Sequence, residues 1–246
     1  MNSISVNSIS TSAATYEFRG VEFDLYIAQP ASLTKARPAI FIAHAWDGLN
    51  SPIEAIAQRV AQLGYVAVAV DVYGKGIRGE PMGDNAHLMN PLLENRDILQ
   101  NRLQAGYAAI REMETVDATR IGAIGYCFGG LCVLDLARSV PKDLKGVVSF
   151  HGGLTGSNLN NMKPIEASIL IEHGWDDPLV PPADYLAFTA EMDGRKADWQ
   201  AHIHGGAVHA FTFEGANIPE RGIEYHGAAA RRSWKSMINF FDEIFG

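Results

Sequence analysis

The sequence predicts an α/β fold, a mostly parallel central sheet with helices on both faces. Three observations predict it. Short continuous apolar runs rich in β-branched residues recur along the chain, as expected of strands buried on both sides. Segments of helical period fall between them, and several carry capping signals at their ends. No linker, repeat or low-complexity tract interrupts the alternation, which implies right-handed crossovers and one parallel sheet.

The elements follow in order. Met1 to Ala14, rich in Ser and Asn, reads as a flexible leader or a short first strand, and residues 15–246 as a single domain. Glu22 to Ala28 alternates polar and apolar residues and suits an antiparallel edge strand. Ala39 to Ala43 is a buried strand. A helix opens at Ser51-Pro52-Ile53-Glu54, with Ser51 as N-cap, Pro52 at the first helical position and Glu54 three residues after the cap. Gly64 ends it, and Tyr65 to Val70 is the next strand, closing on Asp71. Residues 71–90 form a polar, Gly-rich loop before a helix from about Leu92 to Glu114. Strands over Arg120 to Ile124, Leu144 to Phe150 and Ala167 to Glu172 follow, with a helix over Phe128 to Arg138. Pro181-Pro182 start another helix, and Asp198 to His204 is the last strand. The final helix runs from about Ala228 to Ile244, with Trp234, Met237, Ile238 and Phe241 on one face.

Composition narrows the function. A net charge of −8 argues against a nucleic-acid partner, which calls for a basic surplus or stripe. No apolar run approaches the roughly 18–20 residues of a membrane span, and the N-terminus lacks the pattern of a signal peptide. The two cysteines, Cys127 and Cys132, lie on one turn and its helix, which disfavours a disulfide between them. A reducing cytoplasm is the compartment expected.

In an open α/β sheet, function gathers outside the carboxyl ends of the strands. At one such end stands Gly125-Tyr126-Cys127-Phe128-Gly129-Gly130, a Gly-x-Cys-x-Gly turn between a strand and a helix. A turn this sharp strains its apex and crowds neighbouring chains, so small residues are needed two positions either side. The apex side chain sits at a helix N-terminus, where the macrodipole favours a thiolate, and the Phe128 N–H is placed to donate to an oxyanion. A buried core cysteine in a Gly-rich turn is the plain alternative for Cys127. Cys132 reads as a packing residue, and no dinucleotide pattern of glycines matches.

A cysteine nucleophile needs a base and a group to orient that base. The turn Gly174-Trp175-Asp176-Asp177-Pro178 offers Asp177 or Asp176 as the acid, the other serving to cap the turn. His209, in a Gly-rich loop between the last strand and the last helix, occupies the base's place. His44 and His151 each end a strand at the same edge and are expected in the pocket. His202 and His204 share one strand face and are read as packing rather than as a metal pair; His173 is read as turn-stabilising, and His87 and His226 as loop residues.

Together these residues resemble the dienelactone hydrolase family. The elbow, the Asp177-Pro-Leu-Val-Pro turn, the Val208-His209-Ala-Phe loop, the Ile-Ala-His-Ala-Trp-Asp-Gly segment ending at Gly48 and the Val70-Asp71-Val-Tyr-Gly stretch match its pattern in order and spacing, over residues 18 to 245. The resemblance implies the α/β-hydrolase fold and hydrolysis of a small ester or lactone through an acyl-thioenzyme. It makes Cys127 the nucleophile, His209 the base and Asp177 the acid, with oxyanion donors at the N–H groups of Trp46 and Phe128. It implies no cofactor or metal, and leaves a homodimer open. Ala45, Asp47 and Tyr126 join His44, His151, Phe211 and Phe213 as expected pocket residues. Two positions depart from the family. Ala45 stands where well-known members carry a Glu that touches the resting thiol, with Asp47 two residues on. Phe213 stands where they carry an arginine for a substrate carboxylate, and Arg78 and Arg96 are the candidates for a second. A more apolar pocket follows. Two rival readings are a binding or regulatory protein on a hydrolase scaffold, and a redox-sensing thiol with Cys132 as its partner.

Overall fold

A computed structural model describes residues 8–81, 83–157 and 163–246. One eight-stranded sheet organises it. Its strands are β1 (Ile9–Phe18), β2 (Val21–Pro30), β3 (Arg37–Ala43), β4 (Val66–Val70), β5 (Val116–Tyr126), β6 (Leu144–Phe150), β7 (Ser168–Gly174) and β8 (Trp199–His204). They lie in the order β1-β2-β4-β3-β5-β6-β7-β8. The β1–β2 hairpin pairs antiparallel and joins β4 antiparallel; from β4 to β8 every pairing is parallel.

Parallel strands buried on both faces send alternate side chains to opposite cores. In β3 and β4, Phe41, Val66, Val68 and Val70 face one core with Leu99, Leu103 and Phe188. Ile40, Ile42, Ala67 and Ala69 face the other, with Ile53, Val60, Met237 and Phe241. The first core is closed by α3 (Arg96–Arg111), α4 (Phe128–Arg138) and α5 (Pro182–Gly194); the second by α1 (Ser51–Gln62) and α6 (Gly227–Phe245).

Several expectations shift. Of the leader expected over residues 1–14, residues 9–14 belong to β1, and residues 1–7 lie outside the described residues. The cap of α1 is Asn50, whose side chain accepts from the Ile53 N–H, so the helix starts one residue earlier than the Ser51 signal suggested. The helix expected from Leu92 begins earlier and divides into α2 (Ala86–Glu94) and α3, because Asn95 leaves helical geometry and caps Ile98 with its side chain. His226, read as a loop residue, caps α6 by accepting from the Ala229 N–H. A small ribbon, β9 (Asn217–Ile218) and β10 (Ile223–Glu224), was not anticipated: two-residue strands carry no periodicity. No helix among the described residues is long and apolar enough to cross a membrane.

Candidate active site

β5 ends at Tyr126 and α4 begins at Phe128, leaving Cys127 alone at the apex with φ 55° and ψ −118°. A non-glycine residue pays strain in that region, held here by the Cys127 N–H donating to Phe150 O at 3.0 Å. The flanking glycines are demanded by contact. A Cβ on Gly125 would strike the Gly129 carbonyl, and one on Gly129 would strike the Ala43 carbonyl. Cys127 is half-buried, whereas Cys132 is wholly buried in α4 and burial pushes its thiol well above the ordinary range.

Beyond β7 the turn holds both aspartates, and the structure separates their roles. Asp176 is exposed and accepts from the Gly206 N–H at 3.0 Å, tying the turn to the loop after β8. Asp177 is buried; its Oδ1 accepts from the Leu179 N–H at 2.8 Å and its Oδ2 meets His209 Nδ1 at 2.8 Å. The opposite ring nitrogen of His209, Nε2, lies 3.0 Å from Cys127 Sγ. Sulfur, imidazole and carboxylate thus form one unbroken hydrogen-bonded chain.

The loop of His209 is fixed by the ribbon missed in the sequence. Its N–H donates to Gly222 O at 2.9 Å and its carbonyl accepts from the Glu224 N–H at 3.1 Å. Gly222 has φ 65°, and a Cβ there would strike Pro178 of the Asp177 turn. From β6, His151 reaches the same loop: its Nε2 lies 2.7 Å from Thr212 Oγ1 and its ring stands edge-on to His209 and Phe211. Burial by itself would push the His209 imidazole down. The charge and hydrogen bond of the Cys127 sulfur, with Asp177, outweigh burial and raise the ring to about 10.

The N–H groups of Trp46 and Phe128 donate to no acceptor among the described residues. Tyr73 braces both: its hydroxyl donates to Trp46 O at 2.9 Å, and its ring stacks on Phe128 with centroids 6.0 Å apart.

The sequence model of the dienelactone hydrolase family matches residues 23–245. The chain belongs to that family. A relative from Aquifex aeolicus, named as a candidate carboxymethylenebutenolidase, is 30% identical over 232 residues, 92% of this chain and 95% of the relative. A Bradyrhizobium protein, named as a candidate 2-oxo-3-(5-oxofuran-2-ylidene)propanoate lactonase, is 27% identical, covering 87% of this chain and 86% of its own. Among solved structures, the dienelactone hydrolase-like promiscuous phosphotriesterase P91 from metagenomic libraries superposes with a TM-score of 0.92 at 32% identity, over 97% of this chain and 99% of that one. This member of the dienelactone hydrolase family is a hydrolase acting on ester bonds.

Several of the residues expected around the thiol are buried in the protein's own packing. His44 is buried and hydrogen-bonded within the protein, so it does not line a pocket. Tyr126 is buried against Phe150 in the α1–α6 core, and Phe211 is fully buried between His151 and His204. Ala45 is half-buried, and Phe213 is 41% exposed. The Asp47 carboxylate is taken by the Asn50 amide, and burial raises its pKa; no hydrogen bond joins it to Cys127 among the described residues. His209 stands against the sulfur instead.

Neither arginine considered for a substrate carboxylate is free. Arg78 pairs with Asp24 at 2.8 Å and donates to Ile77 O, while Arg96 grips Asp135 with two bonds of 2.6 Å. His202 and His204 do more than pack: they hold the two oxygens of the buried Glu172 carboxylate at 2.9 and 2.7 Å. No group of three or more His, Cys, Asp or Glu among the described residues is arranged to hold a metal ion. Tyr73, Thr212 and Gly222 had no assigned role in the sequence; Tyr73 lies in the Val70-Asp71-Val-Tyr-Gly stretch that resembles the family and Gly222 is a glycine beside a short turn, whereas Thr212 carried no signal.

Proposed function

We propose that the protein hydrolyses small, uncharged esters or lactones through a Cys127 acyl-thioenzyme. The observation that carries this reading is the Cys127–His209–Asp177 chain, with contacts of 3.0 and 2.8 Å, at the strained apex of the elbow. The Cys127 sulfur attacks the carbonyl carbon while His209 holds the thiol proton. The oxygen of the tetrahedral intermediate gathers charge facing the Trp46 and Phe128 N–H groups. As the intermediate collapses, His209 delivers its proton to the leaving oxygen, and the alcohol departs, or stays tethered if the substrate is a lactone. Water then gives a proton to His209 and attacks the thioester, releasing the acid and restoring the thiol.

The engagement of Arg78 and Arg96 and the presence of Phe213 after the base support an uncharged substrate over a carboxylated one. A neutral phosphotriester also develops its charge on one oxygen. The name of P91 makes such a compound worth including in a substrate panel. The test compares wild type with Cys127→Ala on activated esters, simple lactones and one phosphotriester, with intact-protein mass after rapid quenching. Turnover only in the wild type, with an acyl adduct on Cys127, is expected. Equal rates for both proteins on every substrate would sink the reading.

A further inference from the structure

The Trp46 N–H and the Ala45 carbonyl belong to one peptide plane, and in a trans peptide the two point in opposite directions. Whatever fixes that carbonyl therefore aims that N–H. Ala45 O receives two donors: the Gly48 N–H at 3.1 Å and His44 Nδ1 at 2.6 Å. The other nitrogen of the same ring, Nε2, faces the Val72 N–H at 3.2 Å. A carbonyl only accepts and a backbone N–H only donates, whereas a neutral imidazole does one at each nitrogen. The two contacts consequently place the ring proton on Nδ1.

We infer that His44 is a positioning residue for the oxyanion site: through the Ala45 carbonyl it sets the peptide whose Trp46 N–H receives the developing charge. A peptide whose carbonyl already accepts a strong hydrogen bond is also a better donor at its N–H, because bonds in a chain polarise one another. His44 touches no substrate, since its side chain is fully buried and its ring packs on Tyr73 and Phe128 at 4.8 and 6.4 Å. The charged groups facing it are Asp71, 3.8 Å away, with Asp47 and Arg78 beyond. Burial, the largest influence, pushes its pKa down and keeps the ring neutral, as the tautomer requires. Val72 and Tyr73 come from the loop after β4, so His44 joins that loop to the loop after β3 across which the oxyanion peptide lies.

This inference rests on the acyl-transfer reading of Cys127, and its test separates the two. His44→Phe keeps an aromatic ring but loses both hydrogen bonds; His44→Gln can still donate with its amide NH₂ and accept with its carbonyl. For an activated ester, His44→Phe is expected to lower kcat by about 10²-fold with KM little changed, the loss typical of one oxyanion donor. Alkylation of Cys127 by iodoacetamide, which displaces iodide without forming an oxyanion, is expected to keep its wild-type rate. His44→Gln is expected to recover roughly tenfold of the lost kcat, since it can remake both bonds. Wild-type kcat in His44→Phe, or an alkylation loss as large as the turnover loss, would overturn the inference. If His44→Phe does not fold, the nitrogen-15 shifts of His44 in the wild type decide. A proton on Nδ1 supports the positioning role, and one on Nε2 overturns it. A wild type no faster than Cys127→Ala defeats the hydrolytic reading itself and takes this inference with it.

Discussion

Asp177 divides its carboxylate between two tasks, one oxygen holding the Leu179 N–H of its own turn and the other holding His209 Nδ1. Asp177→Asn can keep the first bond but presents an NH₂ to a ring nitrogen that needs an acceptor, favouring the wrong tautomer. We expect kcat to fall by about 10³–10⁴-fold, as when such an acid is neutralised in a related geometry. The same change removes two of the influences that raise His209, so its titration, followed by NMR, should move down from about 10. A group whose folded pKa is raised stabilises the fold fully below its unfolded value, about 6.5 for His, and loses that contribution as pH rises through the folded value. The stability deficit of Asp177→Asn in thermal unfolding should therefore be largest below about pH 6.5 and shrink as pH rises from there to about 10. A deficit that grew with pH would contradict the assignment. At this scale the sequence showed which residues were candidates but not their partners. Asp176 and Asp177 were separable only in part, and His44 looked like a pocket residue because strand ends are where pockets form.

Among the elements, the elbow was legible because its cause is local: Gly125 and Gly129 stand two positions from the apex, and the contacts that exclude a side chain involve Gly129 itself and the end of β3. The β9–β10 ribbon was not legible, although the His209 backbone is anchored from Gly222 and Glu224. Gly222→Ala tests its importance. The added methyl must displace Pro178 and the alanine must hold a left-handed φ, so the Asp177 turn and the His209 loop should shift apart. We expect kcat to fall at least about tenfold, as misplaced catalytic groups do, while thermal unfolding stays cooperative. Wild-type kcat in this variant would show that the ribbon does not position His209. The division of α2 from α3 had a similar origin: Asn95 is a better cap than helix interior, and apolar spacing alone ran through it.

Across the whole molecule, charge argues for the kind of substrate. The chain carries a net charge of −8, and Arg78 and Arg96 spend their charge on Asp24 and Asp135. A carboxylated ester should be turned over with a lower kcat/KM than its neutral isostere, by about tenfold or more, because its carboxylate gives up water with no cation to receive it. Added salt should narrow the gap by screening long-range repulsion, leaving the neutral substrate nearly unaffected. A preference for the anionic isostere, declining with salt, would reveal a cationic subsite and refute the uncharged-substrate reading.

The sequence by itself determined the parallel α/β sheet, the strand–helix order and the elbow with its cysteine. Each of these is written in neighbours a few positions apart: apolar runs, caps and paired glycines. Only the tertiary structure decided which carboxylate meets His209, that His209 rather than Asp47 stands against the sulfur, and that Arg78, Arg96 and His44 serve the protein's own framework. Those outcomes join residues far apart in the chain, 32 positions for Asp177 and His209 and 82 for His209 and Cys127. Nothing in local spacing encodes such meetings; they follow from the order of strands that brings the ends of β3, β5, β6 and β7 to one edge.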